Sequence, residues 1–456
     1  MVGVRSGLPG TAWIGVPLAR SVYCAIQNRE DTKIQIRCFL PESMGGHRDW
    51  VGEVSTLYTK KGPPRSLAVL RQTFAAEEDQ WMLRVLAAML GLRRTRQLNT
   101  PKHGFSMVIW SRLPNESGFG QRVAFGTAVS LALKAGTGLA KKRVDGVHVA
   151  RAVVNGVREV LNERLHLSDA LVSCLGRRNC ALFVEHGLDP IMQWIPLPGQ
   201  SSIAGAHLGV ETPTTFEGRI AIPTGAAMGL AHLNEALIKE KEEPVPSWGK
   251  VTPSEFEDGL RSHVPTEQKG RDWLAKFGSR AEYEILAADV EGDRSYRLRA
   301  LSEHQVRECA RVRRFVNNLS EYGRTLREGF LVEAGRCLRS SHRSLLEKCS
   351  VKTENVNRFL KALDGAGREE GLFGGRVSEA GSCGVVTVLT HQAAFPMLRK
   401  LVEGHQLPED GTGLVLTNTE DGGVLSGWWE GVLEPKSSQS DESAKPEEGA
   451  PVKPGL

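Results

Sequence analysis

One stretch constrains the fold more than any other: residues 111–128, SRLPNESGFGQRVAFGTA. A β-like run over 105–113 meets Pro114, crosses a short loop holding Gly118 and Gly120, and enters a run of helix formers over 121–135. Proline removes a backbone donor and ends the strand. The glycines let backbone approach a ligand with no Cβ in the way. Strand, tight loop and helix start, in that order, leave N–H groups free to face a phosphate. The same order also builds ordinary packing turns, so the stretch needs support from the rest of the chain.

Apolar spacing predicts helices over 81–92, 145–161, 226–241, 299–327, 351–365 and 391–402. Strands are expected over 179–184 and 384–389. Residues 22–40 alternate in part around the turn-like 28–31, which predicts a hairpin. Thr252, Pro253 and Glu255 predict a capped helix start. Strands and helices occur in both halves, and composition shifts over 199–202. This predicts an α+β protein of two domains, 1–204 and 205–434. Residues 435–456, rich in Ser, Glu, Lys and Pro, have little to bury and are expected to be a disordered tail.

Charge and cysteine usage narrow the function classes. The 58 basic and 53 acidic residues leave +5, with no basic arm, so no nucleic-acid partner is expected. Eight cysteines form no C-x-x-C pair and read as free thiols in a reducing cytoplasm. No apolar run approaches the ~18 residues of a membrane span. The first residues lack the continuous apolar core of a signal peptide. Trp81, Trp110, Trp194 and Trp273 read as core or cleft wall.

The support comes from the second half. Residues 252–278, 293–299 (DRSYRLR), 302–306 (SEHQV), 310–315 (ARVRRF), 341–345 (SHRSL) and 351–354 are similar to the galactokinase branch of the GHMP kinase superfamily. The likeness is greatest to the galactokinase-like domain of L-arabinokinases, and it covers most of residues 15–420. The resemblance implies two-domain architecture: an N-terminal domain like domain 2 of ribosomal protein S5 and a ferredoxin-like C-terminal domain. It implies phosphoryl transfer from ATP, with Mg²⁺, to a monosaccharide hydroxyl such as that of galactose or arabinose.

Against the family's motifs, the chain keeps some residues and departs at others. The phosphate loop keeps Pro114 and Gly118, but Glu116 replaces a glycine, and Gly120, Gln121 and Arg122 replace three serines. Arg122 can hold a phosphate and cannot ligate Mg²⁺. The catalytic carboxylate of the family falls on Asp169, within HLSDA, where a helix cap is an equal reading. In the third motif Arg376, Gly381 and Gly384 keep register, while Glu379, Ala380 and Cys383 replace glycines. The sugar-side frame falls on Leu208, Gly209, Val210, Thr212 and Arg219, with only the glycine matching. The family's first motif should precede Val16, and it is missing here; either the natural start lies upstream or the protein dispenses with the motif.

Two function classes follow. In one, the chain is a sugar kinase with Asp169 as base and with Gly118, Gly120, Gln121, Arg122, Arg376 and Gly381 on the nucleotide phosphates. In the other, it is a non-catalytic relative that binds a ligand or regulates a protein partner. The departures favour weak or absent kinase activity.

Overall fold

The computed structural model describes residues 2–3, 10–40, 46–60, 62–98, 101–113, 119–136, 144–163, 165–187, 189–209, 216–351, 354–378, 384–405, 414–417, 419 and 421–427. The expected tail, 435–456, lies outside the described residues. The chain groups into two interleaved units. The larger holds 1–20, 114–121 and 177–420; the smaller holds 21–113, 122–176 and 421–456. The division expected at 204/205 falls inside a strand, Ser201–His207.

The smaller unit is built on a four-stranded sheet. Val22–Asn28 and Lys33–Phe39 both form strands, but they do not make the expected hairpin. Phe105–Ser111 lies between them, antiparallel to the first and parallel to the second. Phe105, Met107 and Ile109 are nearly fully buried, so the inserted strand brings a strongly apolar inner face to the centre of the sheet. The residues read as a hairpin turn hold the entry to that strand instead. Arg29 pairs with Asp31 at 2.7 Å and reaches Ser106 Oγ at 3.2 Å. Gly104 N donates to Asp31 O at 2.7 Å, and a Cβ on Gly104 would lie 1.7 Å from Lys33 O.

Helices Met82–Arg94 and Gly146–Leu161 cross at two glycines in this unit. A Cβ on Gly91 would meet Ala152 O at 2.0 Å, and one on Gly156 would meet Ala87 O at 1.9 Å. Asp145 caps the second helix by accepting from Val147 N and His148 N.

In the larger unit, Leu372–Val377, Val385–His391, Ser201–His207 and Leu414–Leu416 form one antiparallel sheet. Helices Leu298–Thr325 and Gly329–Cys349 form a hairpin that reverses at Leu326, φ 54°. Val312, Phe315 and Leu319 share a core with Leu331, Ala334, Leu338, Phe373 and Leu389. The capped start at Thr252 is present, with Thr252 N donating to Glu255 Oε2 at 2.7 Å and Glu255 N donating to Thr252 Oγ1 at 3.2 Å.

An ionic cluster joins the helix hairpin to that sheet. Glu308, fully buried, takes Arg376 on one oxygen at 2.5 Å and Arg311 on the other at 2.8 Å. Ser341 donates to Glu308 at 2.5 Å and accepts from Arg376 at 2.6 Å. Arg376 was expected on a phosphate; its guanidinium is instead an internal ion-pair partner, in a residue 4% exposed. Burial alone would raise the Glu308 carboxyl, but the two guanidiniums outweigh it and hold it well below the usual carboxylate range. Burial pushes neighbouring His304, bonded to Ser344 at 2.8 Å, down to about 4.

These groups set the pH dependence. Between pH 6.5 and about 4 the unfolded chain binds a proton at position 304 that the folded chain refuses. Stability therefore falls as pH drops through that window, by about 2 kcal/mol between pH 7 and 5 from this residue. Half-buried His232 and buried His342 are shifted the same way and add to the slope. Glu308 contributes its loss only as pH falls below about 4.5, so the interval from 7 to 5 isolates the histidines. Urea midpoints at the two pH values should differ, and less so in His304→Gln. Equal differences in both proteins would show that His304 is not buried neutral.

Glu308→Gln keeps the shape and removes the charge between two guanidiniums. The expected loss is about 3–5 kcal/mol, read from urea unfolding at pH 7. A loss under ~1 kcal/mol would mean the cluster is solvated.

Candidate active site

Gly120 stands at the entry to helix Gln121–Gly136 with φ +78°, a conformation that favours glycine. Among the described residues, nothing lies within 4 Å of where a Cβ on Gly120 would stand. The first turn of the helix carries no acidic residue. Its N–H groups and the positive end of its dipole suit an anion. Gly118 and Glu116 lie outside the described residues.

In the larger unit, Phe119 anchors this turn. Its ring lies over Gly205, where a Cβ would come within 2.7 Å of it, and 6.1 Å from the ring of buried His207. Sequence reasoning missed both aromatic rings; the one signal was the apolar run 203–206 leading to His207. Beyond His207, Leu208 N donates to Gly384 O at 2.9 Å. Gly384, φ +59°, sits so close to Gly209 that a Cβ would lie 1.8 Å from Gly209 O. The glycine of the third motif therefore permits a backbone crossing. Gly381, Glu379, Ala380, Cys383, Val210 and Thr212 lie outside the described residues, and Arg219 falls in helix Phe216–Lys239.

In the smaller unit, Asp169 occupies the first turn of helix Leu167–Leu175. It does not cap the helix: the N-cap is His166, whose side chain makes no cap bond. A half-buried carboxylate in a first turn is favoured by the helix dipole. Ser168, Ala170, Leu171, Val172 and Cys174 are buried, which fixes the helix. Thr127 Oγ1 lies 3.7 Å from Cys174 Sγ, and Gly422 N donates to Gly176 O at 2.8 Å.

Arg122 reaches the segment leading into that helix. Its Nη1 lies 3.0 Å from Glu163 Oε2, both side chains about a quarter exposed. Glu163 follows Asn162, a left-handed residue (φ 54°) that ends helix Gly146–Leu161. One ion pair thus links the second residue of helix Gln121–Gly136 to the connection that precedes the helix carrying Asp169. Arg376, by contrast, belongs to the Glu308 cluster in the larger unit.

The donor chemistry fits a phosphate better than a metal. Gly120 and the helix start offer backbone N–H groups. Mg²⁺ requires oxygen ligands. Arg122 has none, and Gln121 is only 4% exposed. Among the described residues, the side chains at this helix start do not make a Mg²⁺ site.

No family model matches this chain, and no curated protein matches it. Solved structures do. Lactococcus lactis galactokinase complexed with galactose is similar with a TM-score of 0.66 and 14% identity, over 92% of this chain and 91% of that one. Methanococcus jannaschii mevalonate kinase gives 0.48 and 12%, over 90% and 92%. Homoserine kinase from Cytophaga hutchinsonii gives 0.47 and 10%, over 90% and 94%. The galactokinase likeness carries the assignment: this chain has the two-domain α+β fold of the GHMP kinases.

Proposed function

We propose that this protein is a slow, ATP-dependent kinase of a monosaccharide hydroxyl. The observation that carries the reading is the open, positive-φ Gly120 turn opening onto a helix N-terminus without acidic residues. Backbone N–H groups there receive the nucleotide phosphates. Asp169 accepts the proton of the sugar hydroxyl; the oxygen forms a bond to the γ-phosphorus as the bond to ADP breaks. The galactokinase neighbour, solved with galactose, supports galactose or a close relative such as arabinose as the acceptor. The described cysteines are all free thiols, which supports a cytoplasmic location. Among the described residues, no helix is long and apolar enough to cross a membrane.

A second reading, a binding or regulatory protein without turnover, is favoured by one observation. The two arginines in the family's phosphate positions both face internal carboxylates, Arg122 that of Glu163 and Arg376 that of Glu308. Calorimetric titration with ATP and a monosaccharide panel, followed by a phosphoryl-transfer assay, separates the two. Asp169→Asn keeps size and removes the base. It should lower turnover by about two to four orders of magnitude, with the unfolding midpoint little changed. Turnover unaffected by this substitution would remove Asp169 from the mechanism. Binding without turnover in the unmodified protein would establish the second reading.

A further inference from the structure

The Arg122–Glu163 pair has a consequence for ligand binding. Arg122 is the second residue of the helix that follows the Gly120 turn, within one helical turn of the backbone donors. Its guanidinium already faces a carboxylate at 3.0 Å. Glu163 Oε2 is itself buried, but each side chain as a whole is about a quarter exposed, so opening the pair leaves both groups within reach of water. Glu163 lies in the short connection between helices Gly146–Leu161 and Leu167–Leu175, where chain movement costs less than within either helix.

We propose that Glu163 is an internal competitor for the phosphate-binding guanidinium. In the empty protein its carboxylate stands where a nucleotide phosphate oxygen is to stand. Binding exchanges one anion for the other on Arg122, and the displaced carboxylate repels the incoming phosphates. Affinity is set by the difference between the two pairings, not by the strength of the new one alone. The exchange also frees the connection that leads to Asp169, six positions further on. The inference rests on the nucleotide reading above and adds its regulation.

The pairing predicts opposite signs for two measurements on Glu163→Gln. Removing the competitor should strengthen ATP binding, about three- to tenfold by calorimetry at low salt. The same substitution should lower the unfolding midpoint of the ligand-free protein slightly, because the clamp on the connection is lost. A purely structural role lowers both stability and affinity. In an Arg122→Gln background the gain from Glu163→Gln should shrink to less than half on a logarithmic scale, since only long-range repulsion remains to be relieved. Unchanged or weaker ATP binding in Glu163→Gln overturns the proposal, as does an equal gain in the Arg122→Gln background. If the unmodified protein transfers phosphate but Glu163→Gln gains no affinity, the competition fails and the kinase reading stands. If affinity rises and no phosphate is transferred, the competition stands and the kinase reading fails. If neither protein binds ATP at millimolar concentration, both fall.

Discussion

A buried carboxylate shared by two guanidiniums holds the larger unit together. Glu308 lies on one helix, Ser341 on its hairpin partner and Arg376 on a sheet strand, and all three meet within hydrogen-bond distance. Such a cluster is not favourable because charges attract. Removing three charged groups from water costs more than most pairings return. It holds because each oxygen of Glu308 has its own donor, and because the apolar side chains around it exclude other arrangements. The cluster therefore fixes the register between helix hairpin and sheet, which apolar packing alone leaves looser. Arg313 repeats the device one turn along, bonding Glu185, Gly10 O and Gly249 O.

This explains what was legible in the sequence. The segments 302–306, 310–315 and 341–345 carried the family resemblance although they lie far along the chain from the proposed nucleotide turn. They supply His304, Glu308's neighbours Arg311 and Ser341, and Arg313. Buried polar partners tolerate few substitutes, because a lost partner leaves a charge or donor unsatisfied in the interior. The strand Phe105–Ser111 and the helix Gln121–Gly136 on either side of that turn were equally legible, because apolar alternation and helix periodicity are local signals. The same holds for Thr252 as a cap.

What failed to read was non-local. The alternation in 22–40 identified both strands but not the strand that separates them, since insertion of 105–111 is decided by which inner face buries best. The partner of Arg376 was hidden for the same reason. A family register can place a residue in a motif, yet Glu308 lies 68 positions away and nothing in the spacing announces it. The chain also passes between the two units more than once, which composition does not record because it follows only sequence neighbours.

The departures at the helix start form a coherent set when they are taken together. Serine hydroxyls bind phosphate oxygens and share them with a metal, so the triphosphate is neutralised by an ion that arrives with it. A guanidinium neutralises phosphate without the ion, but it is charged even when the site is empty. An unpaired cation beside a helix N-terminus would repel the positive end of the dipole and destabilise the first turn. In the free protein the Glu163 carboxylate, 3.0 Å from Arg122, offsets that repulsion. On the reading proposed above, the same carboxylate opposes the incoming phosphates, so the arginine and the carboxylate on the neighbouring connection act as one electrostatic unit.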